Sequence, residues 1–368
     1  MPPKKPRCPN GSRRKPPKTG ICVKNNSNIK ECPRGKILNP KTNRCINDNP
    51  TNRKRLKESD KQSIKKLSVK KETINSISCK KYNNIVDIDL NNITVEKQIS
   101  TKKFKINYND DSNKFTLDNI SFLSEGSYGE VYKYSNGKYG IAIKTYKYDD
   151  DDEINIINML QKKKIPCEVI NSKLLKIQDK YICAMELMSG PLSKIKGKLI
   201  INNNIKCIKK IAEHLKCLND HKLSYTDLKC ANILFKCINN KNMKIVLGDV
   251  GSICKTGQKH IATFPPWEYR NDVGHVKCNE STMVWCLGVI LTELFDLSTT
   301  VFYWDDIYKF DDASILGYID NVCRYKKLNN FYLDQAKKYT LENLYKDMLN
   351  FNKKKRISLN DIIRKINI

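Results

Sequence analysis

Three polar residues at fixed spacing in a mostly apolar stretch constrain this chain more than any other feature. The stretch reads Tyr-Thr-Asp-Leu-Lys-Cys-Ala-Asn-Ile-Leu-Phe, with Lys229 two and Asn232 five residues after Asp227. Asp249-Val-Gly251 follows 17 residues after Asn232, behind a predicted β-strand. A polar loop beside an unrelated Asp-Gly turn would rarely keep all four polar residues at both spacings. We therefore interpret them as one site.

These four residues suit phosphoryl transfer. That reaction needs a carboxylate to orient an attacking hydroxyl and accept its proton, a cation near the moving phosphoryl group, and oxygen ligands for a divalent metal ion. Asp227 suits the first task and Lys229 the second. Asn232 and Asp249 suit the third, as ligands of Mg²⁺ or Mn²⁺.

A turn earlier in the chain is a candidate phosphate-binding loop. Its glycines allow backbone amides to approach phosphate oxygens closely. An ordinary hairpin turn remains the alternative, because many hairpins contain two glycines three residues apart. The candidate nucleotide-contacting residues are Leu123, Ser124, Glu125, Gly126, Ser127, Tyr128, Gly129, Glu130 and Val131.

A lysine at the end of an apolar strand supports the same interpretation. Asn136-Gly137 is a strong two-residue hairpin signal, and Ile141-Ala-Ile-Lys144 follows it. An inward-facing Lys144 needs an anionic partner, because a buried unpaired ammonium group is costly.

Glu153 is the candidate partner of this lysine. It begins an amphipathic helix, predicted over residues 153–160, from which its carboxylate can turn back toward Lys144. The alternative is that Glu153 only ends the acidic run of residues 149–152, which favours the dipole of the helix at its start. The order of the motifs along the chain favours the first interpretation.

Residues from about 118 to 366 resemble a protein kinase domain, with its motifs in the expected order. The resemblance implies an α+β, bilobal kinase-like fold, with a small β-rich lobe followed by a larger α-helical lobe and ATP with Mg²⁺ between them. It assigns Lys144 to the α and β phosphates of ATP, with Glu153 as its partner. Met185 resembles the gatekeeper, and Glu186 to Met188 resemble the hinge that hydrogen-bonds adenine.

Other motifs extend this resemblance through the second lobe. Pro265-Pro-Trp-Glu268 is similar to the end of the activation segment, and Arg356 to the late arginine that pairs with its glutamate. Trp285-Cys-Leu-Gly288 matches the buried helix of the large lobe. Lys229 implies that serine or threonine accepts the phosphoryl group.

Some residues depart from the kinase pattern. Ser124 replaces the first glycine of the nucleotide loop, Tyr225 replaces the usual histidine, and Val250 replaces phenylalanine. Thr226 replaces the arginine that reads a phosphate on the activation segment, so we expect activity without phosphorylation there. Met283 replaces the aspartate that braces the catalytic loop. The alternative function is therefore a catalytically weak or inactive kinase-fold scaffold. It would act through the basic adaptor-like region at the start of the chain, described next.

Two short segments near the start resemble each other. Cys8-Pro-Asn-Gly leads to Cys22, and Cys32-Pro-Arg-Gly leads to Cys45, with 13 and 12 residues between the cysteines. Neither segment is long enough for a hydrophobic core, so each needs a cross-link, a metal or a partner. A disulfide in each copy would contribute roughly 3 kcal/mol in an oxidising setting. One zinc shared by four thiols is the alternative, although zinc ligands usually lie closer together.

These segments resemble the two-cysteine adaptor domain found in proteins of large DNA viruses. The second copy carries the Asn39-Pro-Lys-Thr42 turn of that domain, and the first copy lacks its asparagine. The resemblance implies a viral origin and a protein-docking role. We predict adaptor-like repeats over residues 1–50 and a poorly structured basic and polar linker over 51–117, with strand-like pieces such as Ile85 to Leu90. The kinase domain is predicted over 118–366.

Charge and composition bound the remaining possibilities. The net charge is +29, and residues 1–81 hold 24 Lys and Arg against 5 Asp and Glu, so the excess lies in front of the kinase-like region. That region can attract nucleic acid or an acidic partner, or be a solvated tail. Tyr82 is its first aromatic residue, and without a stacking surface for bases, protein docking is favoured over nucleic acid.

Hydrophobicity and cysteine usage give expectations about location. The sequence has no run of about 18 apolar residues and no apolar segment behind its charged start, so we expect neither a membrane span nor a secretory signal. We therefore expect the protein in the host cytoplasm or in the virion. The eleven cysteines from Cys79 to Cys323 are then expected to be mostly buried thiols.

Overall fold

The computed structural model describes residues 85–366 except 101–102, 127–128, 148–150, 178–179 and 239–242, together with four short strands nearer the start. The chain divides into two compact units, Met1–Thr73 and Ile74–Ile368. Within the described ranges, none of the helices is both long enough and apolar enough to cross a bilayer.

Each cysteine repeat of the first unit contains one β-hairpin. Strands β1 (Ser12–Lys15) and β2 (Ile21–Lys24) pair antiparallel, as do β3 (Lys36–Asn39) and β4 (Arg44–Asn47). The second cysteine of each repeat is the second residue of its returning strand, so the duplicated sequences form the same local structure. Cys8, Cys32 and all cysteine sulfur atoms of the repeats lie outside the described residues, and their cross-linking stays a prediction.

The end of the predicted linker is folded, which corrects the prediction for that stretch. Strands β5 (Ile93–Ser100), β6 (Lys103–Asn109) and β7 (Lys114–Leu117) form an antiparallel sheet. Alternate residues of β6 are buried, as expected for a strand with one face on a core. The sequence of β6 contains this alternation of apolar and polar residues. The abundance of lysine and asparagine around it favoured a linker instead.

A five-stranded antiparallel sheet follows, in the order β11-β12-β10-β9-β8. The side-chain oxygen of Asn136 accepts the N–H groups of Lys138 and Tyr139, and Gly137 has a φ of 90°, so the predicted hairpin turn forms between β9 and β10. Helix α1 (Asp151–Lys163) follows β10. The strands are β8 (Asn119–Glu125), β9 (Gly129–Ser135), β10 (Gly140–Tyr146), β11 (Ser172–Ile177) and β12 (Lys180–Glu186).

These two sheets share one hydrophobic core. Phe104 and Ile106 of β6 are buried in the same cluster as Ile141 and Ile143 of β10. The hydroxyl of Tyr134 accepts the backbone N–H of Phe104 at 3.1 Å inside this core. The first sheet therefore packs on the second and belongs to the same folded unit.

The rest of the chain is mainly helical and has a second core. Every residue from Thr282 to Thr292 of α3 is buried, so this apolar helix lies at the centre of the core. Helix α2 buries residues at helical spacing, from Ile205 to Leu218, on one face. The helices are α2 (Ile201–Asp220), α3 (Glu280–Leu294), α4 (Asp312–Tyr325), α5 (Leu341–Met348) and α6 (Leu359–Lys365).

Short strands between the helices place the loops that carry the polar motifs. β15 pairs with β13 and β16, and β14 pairs with β17. β18 pairs with β19, and β20 with β21. Their bounds are β13 (Gly190–Pro191), β14 (Leu223–Tyr225), β15 (Ile233–Cys237), β16 (Met243–Leu247), β17 (Ile253–Lys255), β18 (Lys259–Ile261), β19 (His275–Lys277), β20 (Tyr332–Asp334) and β21 (Tyr339–Thr340).

Candidate active site

The loop of residues 226–232, called the Asp227 loop here, lies between β14 and β15 and is held from behind by buried groups. The fully buried Tyr225 donates its hydroxyl to the carbonyl of Gly248 at 2.5 Å. Its backbone N–H donates to the sulfur of Met283 at 3.3 Å. The thiol of Cys286 donates to the carbonyl of Thr226 at 3.6 Å. These contacts fix the loop on the central helix α3.

The Asp227 carboxylate is surrounded by donors on the front of this loop. The Lys229 ammonium group lies 2.7 Å from one carboxylate oxygen, and the Asn232 amide donates to the same oxygen at 3.0 Å. The backbone N–H of Thr263 donates to the other oxygen at 2.9 Å, and the Thr263 hydroxyl donates to it as well. Burial raises the pKa of this carboxyl, but Lys229 and Thr263 outweigh burial, so its pKa lies below its ordinary value. Asp227 is therefore ionised at neutral pH.

Asn232 connects this carboxylate to a second one, on Asp249. The Asn232 amide lies 3.4 Å from an oxygen of Asp249, to which the Ser252 hydroxyl donates at 2.9 Å. Asp249 has a φ of 44°, a left-handed conformation that is uncommon outside glycine. Backbone strain of this kind is concentrated at functional sites. The carboxylate and amide oxygens of Asp249 and Asn232 are of the type that Mg²⁺ prefers.

Lys144 lies at the centre of a third group of contacts. Its ammonium group forms an ion pair with Glu153, and it lies 3.8 Å from an oxygen of Asp249. The Glu153 side chain is 2% exposed, so α1 supplies the anionic partner that a buried lysine needs. Burial lowers the pKa of Lys144, but Glu153 and Asp249 outweigh it and the net pKa is raised. The ammonium group stays charged beside Asp249.

The candidate phosphate loop connects β8 and β9. The N–H of Gly126 donates to the carbonyl of Gly129 at 2.9 Å, which closes the turn. A Cβ atom on Gly129 would lie 2.1 Å from the carbonyl oxygen of Thr145, so only glycine fits there. Leu123, Ser124 and Glu125 end β8, and Glu130 and Val131 belong to β9. Ser127 and Tyr128 lie outside the described residues.

The comparison with known families decides what this arrangement represents. The family model of the protein kinase domain matches residues 117–366, well over half of the chain. The chain belongs to the protein kinase family. It is 30% identical over 194 residues to cyclin-dependent kinase-like 1 of Caenorhabditis elegans, in an alignment covering 48% of this chain and 54% of that protein. The chain thus spans about half the length of this curated relative.

The kinase match confirms the predicted fold class. The β-sheets come first and the helices follow, as the sequence indicates. The small lobe therefore contains Lys144, and the large lobe contains the Asp227 loop.

The segment predicted to be the hinge, Glu186 to Met188, begins at the last residue of β12. The Glu186 side chain pairs with Lys244 at 3.0 Å, and its backbone N–H donates to the carbonyl of Asn171 at 3.0 Å. The side chain of Glu186 thus has a structural partner. Adenine binding by the backbone of Glu186 to Met188 stays a prediction.

The activation segment of this kinase contacts the Asp227 loop at Thr226 as well as at the Asp227 carboxylate. Thr226, at the usual arginine position, places its hydroxyl 2.9 Å from Nδ1 of His260 and 3.0 Å from the carbonyl of Ile261. Its side chain thereby connects the Asp227 loop directly to β18. A carboxylate also holds the loop, since Glu293 accepts the N–H of Cys230 at 2.7 Å.

The end of the activation segment is anchored by an ion pair. The guanidinium group of the buried Arg356 contacts both carboxylate oxygens of Glu268, at 3.1 and 2.9 Å. It also lies over the ring of Trp285 and donates to Ser281. The residues that the sequence grouped as late motifs are therefore in direct contact.

Sequence reasoning missed two features of the site. The first is Thr263, whose hydroxyl contacts both Asp227 and Lys229. Its position, two residues before Pro265, was the available signal. Met283 was expected only to leave the loop without its brace, whereas its sulfur accepts the N–H of Tyr225.

The expectation of reduced thiols is wrong for five of the described cysteines. Cys167 is bonded to Cys217, and Cys254 to Cys278. Cys237 is disulfide-bonded as well. Spacing could not reveal these pairs, because folding brings distant segments together. Cys183, Cys207, Cys230, Cys286 and Cys323 are buried free thiols, as expected. His221 also lies next to the first pair, and these three side chains would offer metal ligands only after that disulfide is reduced.

Proposed function

We propose that this protein kinase transfers the γ-phosphoryl group of ATP to serine or threonine hydroxyls of protein substrates. The observation that carries the proposal is the ionised Asp227 carboxylate, held by Lys229, Asn232 and Thr263 close to Asp249. A carboxylate fixed in this way can orient a hydroxyl and accept its proton.

The remaining charged groups suit a nucleotide with its metal ion. ATP with Mg²⁺ or Mn²⁺ would supply the transferable phosphoryl group and the cation that balances its charge. Asn232 and Asp249 offer oxygen ligands for the metal. The Lys144 ammonium group, 3.8 Å from an oxygen of Asp249, is the proposed partner of the phosphates. Leu123 to Val131 and the Glu186–Met188 backbone are the proposed nucleotide contacts.

The preference for serine or threonine rests on Lys229 and Thr263. Both side chains contact Asp227 and each other, with Lys229 Nζ lying 3.1 Å from the Thr263 hydroxyl. In the kinase resemblance, a lysine at position 229 goes with an aliphatic hydroxyl as acceptor rather than a phenol, and Thr263 holds this lysine beside Asp227. The measure of this preference is the identity of the phosphorylated residue in peptides that carry serine, threonine or tyrosine.

The test of the activity is phosphate transfer from radiolabelled ATP to a generic protein. We expect metal-dependent incorporation that Asp227→Asn reduces by about 10²- to 10⁴-fold. Asp312→Asn, at the start of α4, is the control and should keep full activity. Equal incorporation by the wild type and Asp227→Asn would refute the proposed base.

A kinase-fold scaffold is the second candidate, because Thr226 and Met283 replace two charged residues of the family pattern. It is less well supported, since Lys144, Asp227 and Asp249 are present and in proximity. A purified chain that binds ATP yet transfers no phosphate to any protein would favour the scaffold.

For the first unit we propose docking to a protein partner, with nucleic acid less favoured. The duplicated hairpins and the resemblance to viral adaptor repeats support this role and an origin in a large DNA virus. The host cytoplasm or the virion is the location that follows. The docking is tested by cross-linking the full-length protein to its partners in infected cells and repeating the experiment with a Cys22→Ser/Cys45→Ser variant. We expect a protein that is cross-linked to the wild type to be absent from the cross-linked products of the variant.

A further inference from the structure

The hairpin of β18 and β19 has two faces of different character. Its cross-strand pairs are Lys259 with Lys277, His260 with Val276, and Ile261 with His275. Successive side chains of a strand point to opposite faces. The middle pair therefore lies on one face, and the other two pairs lie on the other.

The inner face fixes the hairpin against the Asp227 loop. Val276 is 1% exposed, and His260 contacts the Thr226 hydroxyl. The carbonyl of Ile261 also accepts from Thr226 at 3.0 Å. The hairpin is thus held one residue away from Asp227.

The outer face is exposed and basic. Lys259, Lys277 and His275 are exposed, and Ile261 is 53% exposed beside them. Lys255 ends β17 next to the hairpin and is also exposed. We call Lys255, Lys259 and Lys277 the hairpin lysines.

Folding alone does not account for this concentration of charge. Like charges directly opposite each other in a β-pair are destabilising. Residues 253–261 and 275–278 contain no aspartate or glutamate. The nearest acidic residue along the chain is Glu280, two positions after Cys278, and its carboxylate accepts the N–H of Leu359. None of the hairpin lysines forms an ion pair with another described residue. Their charge is available to a partner molecule.

The distance to the acceptor site defines that partner. Thr263, whose N–H lies 2.9 Å from Asp227, is four residues after Lys259. A chain advances at most about 3.6 Å per residue, so Lys259 lies within about 14 Å of the Thr263 backbone. An extended substrate advances at the same rate. Residues up to about four positions from its acceptor hydroxyl can therefore reach the hairpin lysines.

We propose that the hairpin lysines select protein substrates with negative charge within about four residues of the acceptor serine or threonine. This inference rests on the proposed kinase activity and specifies its substrate class. Aspartate, glutamate and phosphorylated residues share the required anionic chemistry, and the substrate panel distinguishes them.

The test uses full-length kinase and serine peptides that differ only in flanking residues. The flanks carry glutamate, phosphoserine, alanine or lysine, placed before or after the acceptor. Two exposed ion pairs predict that kcat/KM for the better acidic peptide exceeds that for the alanine peptide by about 2- to 30-fold. The peptide with the larger increase in kcat/KM, glutamate or phosphoserine, identifies the anionic residue that the hairpin lysines select. Raised salt should reduce the preference.

Charge reversal tests the residues themselves. In a Lys259→Glu/Lys277→Glu variant, the ratio of kcat/KM for acidic over lysine peptides should invert. Lys206→Glu, an exposed lysine of α2, is the control and should leave that ratio unchanged. Equal kcat/KM for acidic and alanine peptides in the wild type, or an unchanged ratio in the double variant, would overturn the inference.

A binding measurement separates this inference from the kinase activity. The fluorescence anisotropy of a labelled acidic peptide is titrated with wild-type and double-variant protein. If no peptide is phosphorylated but the acidic peptide still binds, and only to the wild type, the activity proposal fails while the surface stands. Equal binding to both proteins refutes the surface.

Discussion

The front and the rear of the Asp227 loop differ in chemistry. The front concentrates charge, with Asp227, Lys229 and the nearby Asp249 in contact through Asn232. The rear relies mainly on uncharged groups, such as the Met283 sulfur and the Thr226 hydroxyl. This kinase has kept the ionised groups that would touch reactants. It has replaced supporting charges with packing and neutral hydrogen bonds, so substitutions on the two sides should have separable effects.

The largest expected effect comes from the charged side. Lys144→Met removes the cation beside Glu153 and Asp249, so we expect a loss of kcat of at least about 10²-fold in the ATP assay. The buried Glu153 then loses its lysine partner and keeps the hydrogen bond from the Tyr146 hydroxyl. Loss of the lysine should cost about 3–5 kcal/mol of unfolding free energy in urea. Lys144→Met/Glu153→Gln should recover stability but not activity. Recovery of both would contradict a role in phosphate binding.

An intermediate effect is expected at the rear. Met283→Leu keeps the volume of the side chain but removes the acceptor of the Tyr225 N–H, which should cost about 1–3 kcal/mol in urea unfolding. The charged groups in front are untouched, so kcat should fall less than about tenfold. Met348→Leu, at another fully buried methionine, is the control for the change of side chain alone. A rate loss larger than that of Lys144→Met would show that the two sides are not separable.

A smaller effect is expected at Thr226. Thr226→Val removes the hydroxyl contacts to His260 and Ile261, each worth about 1 kcal/mol. It should raise KM for the peptide more than it lowers kcat, because it frees β18. Thr226→Ser should behave as the wild type.

Phosphatase treatment should leave the wild-type rate unchanged, since no arginine stands at position 226. A loss of activity after that treatment would contradict phosphorylation-independent function.

The smallest effect is a pH dependence of stability. The folded-state pKa of Asp227 lies below the ordinary value of 3.8. Its contribution is therefore complete above that value and is lost as the pH falls through the folded pKa. Between about pH 5 and pH 2, wild-type protein should lose more unfolding free energy than Asp227→Asn. Equal losses of unfolding free energy in the two proteins would mean that the ionised Asp227 carboxylate does not stabilise the fold.

The sequence predicted elements whose signals are local. The Asn136-Gly137 turn and the amphipathic helix predicted over residues 153–160 each lie within a short window, and both formed as expected. Asp227, Lys229 and Asn232 were predictable because they share one loop.

What the sequence did not indicate depends on distant residues. The packing of β6 on β10 joins segments more than 30 residues apart, and composition suggested a linker there. Met283 meets Tyr225 across 58 residues, and a sulfur acceptor has no sequence signature. The register that opposes Lys259 to Lys277 is likewise set only by the folded hairpin.

The Cys254–Cys278 bond makes a closed ring of the segment that would receive the substrate. The bonded cysteines are 24 positions apart and enclose Thr263 and Glu268. A protease that cuts once inside this ring leaves the two pieces of the kinase covalently joined. The nicked protein would migrate as one band on a gel without reductant and as two bands with it, so apparent intactness depends on the thiol in the sample buffer.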